Sequence, residues 1–110
     1  MATAVTSVLM VCMGNICRSP TAEAVLRRQV VTAGLAGRVH VDSAGTLDYH
    51  VGAPPDARAV AHGRRRGLAL ETLVARQVQP ADYTRFDHLL AMDDDNLEWL
   101  LHHRPPGATA

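Results

Sequence analysis

The sequence predicts an α/β fold, a parallel sheet with flanking helices, and three features carry that reading. Apolar runs of strand length alternate with stretches of helical periodicity in the order β-α-β-α-β-α, which implies layers joined by right-handed crossovers. The first run, VTSVLMVC (5–12), is apolar and β-branched, as in a strand covered on both faces. Glycine, proline or a capping side chain marks the changes of period.

Each element has its own signal. After the first strand, Ser19 is placed as N-cap and Pro20 at the first helical position. Ala22, Val25, Leu26, Val30 and Ala33 then share one helical face, while Glu23, Arg27 and Arg28 fall elsewhere, and Gly34 stops the helix. RVHVDSAG (38–45) reads as the second strand. The stretch 50–67 reads as a loop and a helix capped by Asp56 and stopped near Gly67. DHLLAM (87–92) is the third strand. The helix in 93–104 is expected to bury Leu97, Leu100 and Leu101, and Pro105-Pro106 ends it.

The 110 residues suit one domain, 1–110, with one modest core. Hydrophobic residues make up 47% and charged residues 20%, a globular rather than disordered balance. A formal net charge of zero gives no reason to expect a nucleic-acid or membrane partner. No apolar run approaches the ~18 residues of a membrane span. MATAVTSVLMV lacks the basic start and cleavage site of a signal peptide, so a cytoplasmic location is expected. Two cysteines in a reducing compartment are then chemical rather than structural.

Those cysteines, Cys12 and Cys17, bracket the most informative stretch, CMGNICRSP (12–20). Cys12 ends the first strand, and ligands of open α/β sheets bind at strand carboxyl ends. A tight loop running into a helix N-terminus turns its backbone N–H groups toward one centre, which suits phosphate. Met13, Gly14, Asn15, Ile16, Cys17 and Arg18 form this candidate phosphate-binding loop. Arg18 supplies a bidentate fork for two oxygens. The same positive field favours a thiolate at Cys12, a nucleophile facing a bound phosphoryl group. Gly14 and Asn15 accept backbone geometry that other residues resist. Ser19 can donate its hydroxyl to the thiolate.

The stretch VCMGNICRSPTAEAV resembles the phosphate-binding loop of low-molecular-weight protein tyrosine phosphatases. VDSAGT, GAPPDARA, VARQV and FDHLLAMDDDNL extend the resemblance over nearly the whole chain. It implies a phosphatase I-like, Rossmann-like fold and hydrolysis of phosphotyrosine monoesters through a phosphocysteine on Cys12. Arg18 and the loop amides stabilise the equatorial oxygens. Asn15, Ser19 and Ser43 form the supporting network. Cys17 is the redox partner, closing a reversible disulfide that protects Cys12. Tyr49, His50 and Met13 line the substrate pocket. The implied partners are phosphotyrosine proteins, a tyrosine kinase and an oxyanion in the loop.

The chain departs from the family in one respect. The family's general acid is an aspartate followed by proline, and no aspartate here is followed by proline. By resemblance the family continues into a fourth strand, the acid loop and a last helix, so the chain is expected to be C-terminally incomplete with impaired turnover. Asp93–Asp95 are assigned to capping the last helix rather than to replacing the acid. Leu73 stands where some relatives have a histidine. Neither a metal nor an organic cofactor is expected, since the six histidines form no ligand pattern. Arg64–Arg66 and His102-His103 read as solvated helix ends, and Trp99 as packing.

Three alternatives remain in view. A phosphate- or phosphopeptide-binding remnant would keep the cradle without turnover. An arsenate reductase needs more relay cysteines than two. A protein-arginine phosphatase by resemblance carries threonine where Ile16 stands.

Overall fold

The computed structural model describes residues 5–110. Residues 1–4, part of the stretch read above as lacking a signal peptide, lie outside the described residues. The chain runs β1 (Thr6–Cys12), α1 (Arg18–Thr32), β2 (Val39–Gly45), α2 (Ala57–Arg65), α3 (Asp82–Arg85), β3 (His88–Ala91) and α4 (Asp94–His102). The sheet order is β2-β1-β3, and both pairings are parallel. β1 is therefore the central strand, and Val8 to Cys12 are all buried, as an unbroken apolar run requires.

Alternation along β1 sends Leu9 and Val11 to one face and Met10 and Cys12 to the other. Leu9 and Val11 join Ala44, Val78, Tyr83, Phe86 and Leu100 in the main core. Leu9 is wholly buried, and Leu9→Ala is expected to cost ~2–5 kcal/mol. On the opposite side Ala59, Leu68 and Leu70 form a second cluster under α2. The pairing of Met10 with Ser43 and of Cys12 with Gly45 places Ser43 and Cys12 on one face, which α1 covers. Because all three strands are parallel, Cys12, Gly45 and the turn after Ala91 meet at one edge.

Several local expectations need correction. Helix α1 begins at Arg18, so Ser19 lies inside its first turn and is not its cap. Its other expected role holds: its hydroxyl lies 2.9 Å from the Cys12 sulfur. Glu23, assigned away from the inner face, is buried, whereas Val25 and Ala33 are exposed. Glu23 can lie inside because Ser43 and Arg27 meet its two oxygens. In α4, Leu100 is buried, but Leu97 and Leu101 are exposed. Asn96 and Leu100 face inward, and Trp99 packs against the core.

Other expectations hold. Asp56 caps α2 by accepting from the Arg58 and Ala59 N–H groups. Gly34 and Gly67 follow their helices with φ near +74° and +75°. Arg64–Arg66 are exposed at the end of α2. Among the described residues, no helix is long and apolar enough to cross a membrane.

Candidate active site

Cys12 ends β1 with its side chain buried beneath the loop 13–17. Its sulfur accepts the Asn15 backbone N–H at 3.2 Å and lies 2.9 Å from Ser19 Oγ. Asn15 Nδ2 donates to that same Oγ at 2.8 Å, which leaves the Ser19 proton for sulfur. Two donors thus converge on Sγ at the foot of the loop.

Asn15 is the hinge of the loop. Among the described residues it is the only one other than glycine with positive φ, at 56°. Its amide also donates to Ser43 Oγ at 2.9 Å, and its Oδ1 accepts the Arg76 N–H at 3.0 Å. Ser43 passes its own proton to Glu23 Oε1 at 2.6 Å. The chain of donors therefore runs from Asn15 outward in both directions, to Ser19 and Cys12 and to Ser43 and Glu23. Satisfying every Asn15 side-chain donor and acceptor offsets the cost of its left-handed backbone.

Glu23 is nearly inaccessible. Burial pushes its carboxyl above the ordinary range, opposed by the Ser43 hydrogen bond and by Arg27. Its Oε2 lies 2.8 Å from the Arg27 guanidinium without hydrogen-bond alignment, while Arg27 donates to Val41 O.

Arg18 opens α1 at the rim. Its NH1 donates to Asp93 Oδ2 at 2.8 Å, and that bond leads in holding the guanidinium pKa above its ordinary value. The opposite edge of the fork, Nε and NH2, is the one with the geometry to grip two oxygens of a tetrahedral anion. Asp93 also caps α4 by accepting the Asn96 N–H at 2.8 Å. The cap and Arg18 together hold the Asp93 carboxyl below the usual carboxylate range.

The cleft above the sulfur has a volume of about 210 Å³. Its walls include Met13, Ile16, Leu47, Tyr49 and His50, with Cys12 and Arg18 below. Met13 and Tyr49 are largely exposed, as a cleft mouth requires. A Cβ on Gly14 would stand 2.9 Å from the His50 ring, so that glycine lets the mouth loop approach. A far larger apolar groove of about 850 Å³ runs between α1 and α2. It lacks the Cys12 sulfur, so the chemistry belongs to the smaller cleft.

The structure therefore brings together Cys12, Met13, Gly14, Ile16, Cys17, Arg18, Tyr49 and His50 at one cleft, with Asn15, Ser19 and Ser43 behind it. Cys12 and Cys17 are both free thiols, the first buried and the second exposed. Four contributors were not legible as such: Leu47, Gly45, Glu23 and Arg76. Gly45 carries a signal, since it ends a strand in SAGT. A Cβ there would lie 2.7 Å from Met13 O, so only glycine lets β2 back the loop this closely. Among the described residues, no group of three His, Cys, Asp or Glu side chains could hold a metal ion.

A family model described as low molecular weight phosphotyrosine protein phosphatase matches residues 7–107. The low molecular weight phosphotyrosine protein phosphatase 2 of Drosophila melanogaster is 49% identical over 104 residues, covering 94% of this chain and 63% of that protein. The chain thus spans less than two thirds of that curated relative. The crystal structure of Primo-1 superposes with a TM-score of 0.92 at 40% identity, over 96% of this chain and 68% of that one. That of DARP, a drosophila arginine phosphatase, gives 0.87 at 39% identity, over 94% and 66%. The chain belongs to the low molecular weight phosphotyrosine protein phosphatase family.

Proposed function

We propose that this chain hydrolyses phosphotyrosine monoesters through a covalent intermediate on Cys12. The observation that carries the reading is the convergence of Asn15 N–H and Ser19 Oγ on the Cys12 sulfur at the foot of the cleft. In the first step the Cys12 thiolate attacks phosphorus. An S–P bond forms, the P–O bond to the phenol breaks, and the phenolate leaves with the electron pair. Arg18 and the loop N–H groups hold the equatorial oxygens, where charge is greatest in the transition state. In the second step water attacks phosphorus, the S–P bond breaks, and phosphate departs with Cys12 again a thiolate.

Substrate choice follows from the walls. Ile16, Met13, Leu47 and Tyr49 give the cleft apolar and aromatic surface, which suits a phenyl ring. This supports phosphotyrosine in proteins over phosphoarginine, the alternative raised by the likeness to DARP, an arginine phosphatase. A cytoplasmic site of action fits the reading, because catalysis requires Cys12 reduced.

Asp93 is unsuited to protonating the leaving group. Its carboxyl is engaged by both Arg18 and the Asn96 N–H and is held in its charged form. Among the described residues, no carboxylate lines the cleft itself. That observation favours one second reading, a phosphopeptide-binding module with an intact cradle and little turnover.

Mass spectrometry after acid quench separates the two. With a phosphotyrosine peptide, hydrolysis predicts a phosphoryl adduct on the Cys12 peptide, absent in Cys12→Ser. Binding without an adduct in the parent protein supports the module. An adduct with a phosphoarginine peptide but none with phosphotyrosine would overturn the substrate assignment.

A further inference from the structure

We propose that Arg76, clamped by Asp82 and Asp42, is a positioning residue that fixes residues 75–78 as a brace between the nucleophile loop and the mouth of the cleft. The inference deepens the phosphatase reading and rests on it for its kinetic consequence. Residues 75–78 have almost no regular structure of their own, only a single bridge from Gln77 to Gly45. Yet they bond to both halves of the site. The Arg76 N–H donates to Asn15 Oδ1 at 3.0 Å, on the residue that sets the loop's left-handed turn. Arg76 O accepts the Gly45 N–H and Gly45 O accepts the Val78 N–H, each at 2.8 Å. On the other side, Ala75 O accepts the Gly52 N–H at 2.8 Å and the Ala75 N–H donates to Ala53 O at 2.9 Å. Residues 52 and 53 end the loop that carries Tyr49 and His50.

An irregular segment positions its neighbours only if something holds it. The Arg76 side chain is that hold. NH1 donates to Asp82 Oδ2 at 2.9 Å and NH2 to Asp82 Oδ1 at 3.1 Å, a bidentate fork. NH2 also donates to Asp42 Oδ2 at 3.3 Å, on β2. Asp82 is buried and accepts the Gln79 N–H as well, at 2.7 Å. One cation thus ties β2 and α3 to the segment's backbone. Gly45 packs so close to the loop that an added Cβ would meet Met13 O, and the next two residues bond it, Thr46 N–H to Cys12 O and Leu47 N–H to Met13 O, so a shift of the brace is transmitted to the loop. A lysine reaches one carboxylate as a point charge and cannot reproduce the fork.

The test uses the chain as it stands, with Arg76→Met, Arg76→Lys, Asp82→Asn and the double variant Arg76→Met/Asp82→Asn. Leu68→Ala, in the second cluster, serves as the stability control. Two readouts are taken below each variant's melting temperature. One is kcat and KM for p-nitrophenyl phosphate. The other is protection of Cys12 from iodoacetate by inorganic phosphate, which needs no turnover. The expected result is a fall in kcat of about tenfold for Arg76→Met, as for a small misplacement of reacting groups. Phosphate should protect at about tenfold higher concentration. Arg76→Lys should recover part of both, and the double variant should be no worse than Arg76→Met. Leu68→Ala should lower the melting temperature and leave both readouts in place. Unchanged kcat and unchanged protection in folded Arg76→Lys and Asp82→Asn would overturn the proposal, whatever happens to Arg76→Met. Were the parent protein to bind phosphate without turnover, the phosphatase reading would fail, and the protection series would still decide the brace.

Discussion

Arg18 and Asp93, one opening α1 and the other capping α4, meet through a 2.8 Å bond from NH1 to Oδ2 at the rim of the cleft. Both side chains are well exposed, so the pair adds little to stability. Its value lies in orientation: it holds one edge of the guanidinium and turns the other toward an oxyanion. Asp93→Asn keeps a good helix cap and loses the charge. The expected outcome is an almost unchanged melting temperature and phosphate binding weakened about fivefold. Competitive inhibition by phosphate measures it. Tighter phosphate binding would mean that Asp93 restrains Arg18 rather than aiming it.

Asn15 allows backbone and side-chain contributions to be separated. Asn15→Gly relieves the positive φ and removes the hydrogen bonds, whereas Asn15→Ala removes the bonds and keeps the strain. Both variants should lose most activity, because Ser19 and Ser43 lose their common donor. Asn15→Ala should be the less stable of the two by about 1 kcal/mol. Thermal melts and kcat read the two effects independently. Equal activity in Asn15→Gly and the parent protein would remove the amide from the account.

The two thiols predict a redox response. Mild peroxide should convert the Cys12 thiolate to a sulfenic acid, which the exposed Cys17 thiol captures as a disulfide with loss of water. Dithiothreitol should restore activity. In Cys17→Ser the same treatment should drive Cys12 on to sulfinic and sulfonic acids, with permanent loss. Equal recovery in the two proteins would remove Cys17 from a protective role.

Glu23 gives a pH signature. Burial raises its folded pKa above the ordinary value of 4.5. Between that value and the higher folded one, the native state binds more protons than the unfolded chain, so stability falls as pH rises through the window. Above the folded pKa the penalty is complete, and below 4.5 it is absent. Glu23→Gln still accepts from Ser43 and cannot titrate. Its denaturant midpoint should therefore be flatter than the parent's across this window. Identical pH profiles would show that Glu23 titrates at its ordinary value.

Much of this was legible in the sequence, and the exceptions share a cause. β1 declared itself because a fully buried central strand needs a continuous apolar run, and the loop because cysteine, arginine and the helix start lie within a few residues. Strand order was not legible, since nothing local distinguishes β2-β1-β3 from other parallel orders. Periodicity assigned Glu23 outward because it weighs a carboxyl as polar wherever it lies, whereas Ser43 and Arg27, distant or on the next turn, make its burial tolerable. Of the two roles the sequence offers Ser19, the fold keeps the bond to Cys12 and drops the cap, because α1 already begins at Arg18. VARQV (74–78) stands out only by resemblance, and its bracing role is not legible because the work is done by backbone groups, which carry no residue signature. Only the side chain of Arg76 marks it, and the partners Asp42 and Asp82 are assembled by the fold.

Everything proposed for the cleft requires Cys12 to act as a nucleophile in a formed phosphate cradle. Rapid mixing of this 110-residue chain with p-nitrophenyl phosphate, beside Cys12→Ser, tests it most directly. This leaving group departs with little help from an acid. The expected result is a burst of p-nitrophenol that scales with protein concentration and is absent in Cys12→Ser. A parent protein that binds phosphate yet gives neither burst nor turnover, or a Cys12→Ser variant that retains either, would contradict it.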